Sequence, residues 1–193
     1  MPPAFRKSDG KEKKRMNDFE MRALHAPLEA FDDREALEAL YVRAFPQNER
    51  SPLEEIINEK SGMLRVLAFY RNAVFCGMAV TLSTAELTHI IYLAIEEAFR
   101  GQGLGSRALE AIEREARGKK VIVDVERAEE NASSNDQRTR RIAFYLKNGY
   151  RETAVGYRWR EEDYVILSYG GVMTKREWGS FWKEVEERTG RDW

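Results

Sequence analysis

Three glycines, Gly101, Gly103 and Gly105, occupy five positions of the stretch "FRGQGLGSRALE" (Phe99 to Glu110). Glycines so spaced let a backbone approach another group closely, because no side chain stands in the way. The stretch follows an apolar run, "HIIYLAI", and continues with helix-forming residues. A helix start presents unpaired N–H groups and about half a positive charge, which suits a phosphate. Arg100 adds a fixed cation beside it. Other groups able to do chemistry lie elsewhere. Tyr145 stands in "RIAFYLKNGY", and a phenol with a pKa near ~10 donates a hydrogen bond or proton at neutral pH. His89 opens the apolar run, Glu126 ends the strand-like "KVIVDVE", and either is a candidate base.

Several ligands fit a glycine turn. The phosphate loop of nucleoside triphosphatases is excluded, since no Gly-Lys-Ser/Thr follows. Gly103-Leu-Gly105-Ser-Arg-Ala108 matches the dinucleotide pattern G-x-G-x-x-A, with Asp124 and Glu126 about twenty residues on. Against that fold, "EEAFR" separates strand from glycine, an apparent hairpin precedes the strand, and little chain remains for a parallel series. A turn that serves only packing is the plain alternative.

The elements that position these groups are legible from periodicity. "MRALHAPL" (Met21–Leu28) predicts a first strand, and "FDDREALEALYVRAF" a helix stopped by Pro46. "SPLEEIINEK" predicts a second short helix capped by Ser51. "MLRVLAFY", a turn at Arg71–Asn72 and "AVFCGMAVTL" predict a hairpin. His89–Ile95 is apolar on both faces, as in a central strand. A helix from about Gly103 to Arg117 buries Leu104, Ala108, Leu109, Ile112 and Ala116, and Lys120–Glu126 is a further strand. Ser134 and Gln137 have capping-box spacing before a helix with apolar Ile142, Ala143, Tyr145 and Leu146, closed by Gly149. A hairpin, "YRETAVGYRWR" to "DYVILSY", and a capped helix, "TKREWGSFWKEVEERTG", follow. The order β α α β β β α β α β β α specifies a mixed α/β domain over residues 21–193, behind a flexible tail at 1–20.

Composition excludes several classes. With 42% hydrophobic and 34% charged residues, the 193-residue chain is that of a globular domain. A net charge of −1 provides no field for nucleic acid or an anionic membrane. No apolar run reaches the roughly 18 residues of a membrane span. A single cysteine, Cys76, precludes an internal disulfide and fits a reducing, cytoplasmic setting. Its place beside Gly77 in a strand marks it as packing.

"RGQGLG" matches Arg/Gln-x-x-Gly-x-Gly/Ala, and with "RIAFYLKNGY" it makes the chain resemble the GNAT family of acetyl-CoA-dependent N-acyltransferases from about Met21 to Tyr169. The resemblance implies a mostly antiparallel twisted sheet with helices on both faces and a V-shaped splay between central strands. Acetyl-CoA is the implied cosubstrate. Backbone N–H groups near Leu93 and Ile95 would hold the pantetheine and polarise the thioester carbonyl, stabilising the oxyanion of the tetrahedral intermediate. Those from Gly101 through Gln102, Gly103 and Gly105 to Ser106, with Arg100, would hold the pyrophosphate. Tyr145 would protonate the leaving thiolate; otherwise it is a core tyrosine.

The base is left to His89, to Glu126, or to water. Where many members carry a CoA-binding Asn seven residues before the tyrosine, this chain has Arg138, which with Arg140 and Arg141 meets the 3′-phosphate of CoA or is plain surface. The implied acceptor is a small-molecule or peptide amine, in a monomer or homodimer; Tyr41, Phe45, Glu49, Tyr157 and Trp159 are candidates for its wall, with packing or plain surface the alternative for each. A non-catalytic acyl-CoA sensor is the alternative.

Overall fold

The computed structural model describes residues 18–127 and 137–190. Seven strands form one sheet in the order β1-β2-β3-β4-β5-β7-β6. They are β1 (Phe19–Ala23), β2 (Leu64–Arg71), β3 (Val74–Ser83), β4 (Leu87–Ile95), β5 (Lys120–Glu126), β6 (Arg151–Trp159) and β7 (Glu162–Tyr169). Five helices flank it: α1 (Arg34–Ala44), α2 (Leu53–Ile57), α3 (Leu104–Glu115), α4 (Gln137–Lys147) and α5 (Lys175–Thr189). All pairings are antiparallel except β4 with β5.

Two apolar clusters cover the two faces. Leu37, Leu40 and Tyr41 of α1, Leu53 and Ile56 of α2 and Phe181 and Val185 of α5 pack on one face. Leu104, Ala108, Leu109 and Ile112 of α3 and Tyr145 of α4 pack on the other. Full burial of side chains this size contributes roughly 1.5–3 kcal/mol each, so the sheet is held from both sides.

The parallel ladder is short. It runs from Leu87↔Lys120 to Ile90↔Val123 and stops, although β4 continues to Ile95 and β5 to Glu126. A register irregularity between β3 and β4 at Val80/Thr81 leaves Ile91 without a cross-strand partner at this point. The extra residue bends β4 and increases its local twist. From Ile91 onward β4 leaves β5, and the sheet opens as a V.

Several local expectations shift. β1 starts at Phe19 and ends at Ala23, so Asp18–Glu20 belong to the domain edge and not to a tail, Asp18 being ion-paired to Arg107 at 2.6 Å. The hairpin turn lies one residue later, at Asn72 and Ala73, both at positive φ, as a two-residue loop matched to strand twist requires. α2 begins at Leu53 after Pro52, with no side-chain cap from Ser51. On α4, Ala143 and Leu146 face solvent, and Ile142, Phe144 and Tyr145 pack inward. The predicted Ser134 cap lies outside the described residues. α5 carries its capping box as expected, Thr174 Oγ1 accepting from Glu177 N–H and Glu177 accepting from Thr174 N–H. Among the described residues no helix is long and apolar enough to cross a membrane.

Candidate active site

The glycine turn opens the first of two clefts at the V. A single 3₁₀ turn, Glu97–Phe99, carries the chain from β4 to Gly101. Gly101 and Gly103 have φ of +73° and +78°, values that a side chain makes strained. Gly103 is the N-cap of α3, and no side chain caps this helix end. Its first-turn N–H groups therefore remain available to an anion. At Gly105 a Cβ would come within 3.1 Å of the Phe144 ring, so this glycine sets how closely α3 approaches α4.

The resulting cleft, about 420 Å³, is lined by Leu93, Ile95, Arg100, Gly101, Gly103, Gly105 and Ser106. Arg141, Phe144, Tyr145 and Lys147 complete it from α4. Tyr145 is 7% exposed, and burial pushes its phenol up to about 12. It stays protonated at neutral pH and can only donate to an incoming anion.

Of the expected contributors, Gln102 keeps in the glycine turn the backbone N–H expected of it, and the Arg138 side chain sits elsewhere. The Gln102 side chain donates to Ala98 O at 2.9 Å and accepts from Arg71, so it turns out of the cleft. Arg138 ion-pairs with Glu126 and, at 3.0 Å, with Glu162. Arg141, one turn before Tyr145 and on its side of the helix, takes the place in the cleft.

A second cleft, about 480 Å³, lies on the other side of the V and also touches Arg141. Its walls include Phe45, Tyr157, Trp159, Tyr164 and Trp182, with Glu49, Asp124 and Glu126 as its acids. Burial and the nearby Glu126 charge raise the Glu49 carboxyl, against Arg141 and Arg160.

His89, 3% exposed, reaches this cleft from β4. Its Nε2 lies 2.7 Å from Asp124 Oδ1 on β5, and the Tyr157 hydroxyl donates to Asp124 Oδ2. A carboxylate offers no proton, so Nε2 carries one and donates it. Nδ1 is buried without a protein partner, in a ring surrounded by Trp178, Phe181 and Trp182 at 6.0 Å between centroids. The imidazole is therefore poorly placed to take a proton from the cleft. Burial raises the Asp124 carboxyl, but His89 and Tyr157 outweigh it and hold it below the usual range.

Asp124 is the residue that sequence reasoning passed over for this chemistry. Its signal was its place two residues before Glu126, which puts both on one face of β5. Cys76 is fully buried and its thiol is pushed up to about 11, in keeping with packing. The described residues hold no group of His, Cys, Asp and Glu suited to a metal ion.

Residues 61–152 match the family model of the acetyltransferase (GNAT) domain. No curated protein matches the sequence. Among solved structures, a Bacteroides thetaiotaomicron protein assigned to the GNAT acetyltransferases superposes with a TM-score of 0.72 at 18% identity, over 90% of this chain and 99% of that one. The Escherichia coli ribosomal-protein-S18-alanine N-acetyltransferase gives 0.55 at 19%, over 81% and 96%. A GNAT acetyltransferase of Elizabethkingia anophelis with acetyl-CoA bound gives 0.54 at 18%, over 79% and 97%. These are likenesses of fold.

Proposed function

Residues 61–152 match the GNAT acetyltransferase domain, and from that premise we propose that the chain transfers an acetyl group from acetyl-CoA to a primary amine. The observation that carries this reading is the first cleft: an uncapped helix start, a positive-φ glycine turn and a protonated tyrosine share one cavity at the split of β4 and β5. The cavity fits the cosubstrate by charge, since Arg100, Arg141 and Lys147 surround the free N–H groups. Gly101 to Ser106, with Arg100 and Arg141, would hold the pyrophosphate, and β4 from Leu93 to Ile95, which has no ladder to β5, would receive the pantetheine. Bound acetyl-CoA supplies an activated acetyl thioester.

Tyr145 donates its O–H toward the departing sulfur. A phenol near 12 is a weaker acid than a thiol near ~8.5, so complete proton transfer is uphill by roughly 5 kcal/mol. Tyr145 thus acts chiefly by hydrogen bonding to the developing thiolate, a stabilisation that appears only as the bond breaks. The amine occupies the second cleft, and its proton leaves through the carboxylate wall of that cleft. Glu126 is engaged by Arg138, which lowers its value as a base; His89 serves by orienting Asp124.

Release of free thiol from acetyl-CoA, measured over a panel of primary amines, tests the proposal. Amine-dependent thiol is the expected result. If coenzyme A raises the melting temperature while no amine yields thiol, the chain is an acyl-CoA-binding module and the transferase reading falls.

A further inference from the structure

The charges of the second cleft do not balance evenly. Glu126 has Arg138 as its counter-ion. Glu49 feels the positive charges of Arg141 and Arg160, both on the wall of the cleft. Asp124 has neither. Its two bound donors are the Nε2–H of His89 and the hydroxyl of Tyr157, and no Lys or Arg pairs with it among the described residues. Packed around the pair from α5 are Trp178, Phe181 and Trp182, which bring no charge. The side chain is still 19% exposed and lines the cleft. A carboxylate held rigid by two fixed donors and still lining the cleft keeps lone pairs free to accept from an ammonium group.

The surroundings describe that cation. Tyr157 stacks on Tyr164 with ring centroids 5.1 Å apart and planes 7° apart, and Trp159 meets Tyr164 edge-on at 6.3 Å. The cleft therefore joins one charge-binding point to flat apolar walls. We propose that Asp124 is the anchor for the acceptor's ammonium group, and that the acceptor is a compact amine with an aromatic or apolar body, entering as its cation. This rests on the transferase reading. His89 and Tyr157 are positioning residues that fix the carboxylate plane.

Benzylamine, protonated at neutral pH, and its neutral isostere benzyl alcohol test the anchor by calorimetric titration into the full chain with coenzyme A present. Benzylamine is expected to bind at least about tenfold more tightly than benzyl alcohol, the range of a charge-assisted hydrogen bond. Asp124→Asn should abolish that preference, and Glu126→Gln should retain it. Equal binding of the two probes to the wild-type protein overturns the proposal, as does an Asp124→Asn protein that keeps the preference. Should Asp124→Asn fail to fold, the wild-type comparison decides alone. Thiol release is scored separately. Ammonium preference without thiol release removes the transferase and leaves the anchor; thiol release without ammonium preference removes the anchor alone.

Discussion

His89 Nε2 and Asp124 Oδ1 lie 2.7 Å apart across the point where β4 and β5 part. His89 is still within the parallel ladder, opposite Ile122, and Asp124 is the first residue of β5 beyond it. The bond thus ties the two arms together just below the opening, and fixes the carboxylate on the floor of the second cleft.

Tyr145→Phe removes the hydroxyl and little else. Turnover should fall by about a hundredfold, within the range for losing one hydrogen-bond donor to a developing anion. The dissociation constant for acetyl-CoA, measured by calorimetry, should stay within about twofold, because the ring remains in its packing. Unchanged turnover would remove Tyr145 from the mechanism.

Gly103→Ala places a methyl group at φ +78°. The left-handed conformation costs about 1–2 kcal/mol for a non-glycine residue. A lower denaturation midpoint and weaker acetyl-CoA binding are expected together, since the same peptide groups form the turn and face the cleft.

Arg141→Ala and Arg138→Ala should separate sharply. Arg141 lines the first cleft, so its loss should weaken coenzyme A binding several-fold and flatten the salt dependence of binding. Arg138 is occupied by Glu126 and Glu162, and its loss should leave coenzyme A affinity unchanged. Equal effects would show that the α4 arginines act only as a diffuse charge.

Glu177 closes the α5 capping box and accepts from Lys120 Nζ at 2.6 Å. The Lys120 bond, followed by the Thr174 amide and hydroxyl, draws its carboxyl from 4.5 down to about 2. A depressed carboxylate contributes stability that is present above pH 4.5 and is lost as pH falls toward 2. Glu177→Ala should cost about 1 kcal/mol, or roughly 2–4 °C in melting temperature, at neutral pH. The wild-type and variant melting curves should converge in acid; a constant gap down to pH 2 would assign the cost to packing.

Local chemistry decided much of this protein by sequence alone. Glycines before a helical run specify a turn whose conformation other residues avoid, so the positive-φ turn and the helix start after it were legible without neighbours. Strand and helix periods placed β5 and α5 closely, and the helix–glycine–aromatic stretch marked Tyr145. Which arginine of "RTRR" faces the cleft was not legible, because it depends on the rotation of α4 as packing of Ile142 and Tyr145 sets it. Nor was the fate of the acids on β5. Asp124 and Glu126 share a face by the period of two, yet one meets His89 and Tyr157 and the other meets Arg138. Those partners come from β4, β6 and α4, far apart in the chain, and only the folded sheet brings them together. Such partners are a matter of proximity in space, and that proximity gives one carboxylate an imidazole and a phenol and the other a guanidinium.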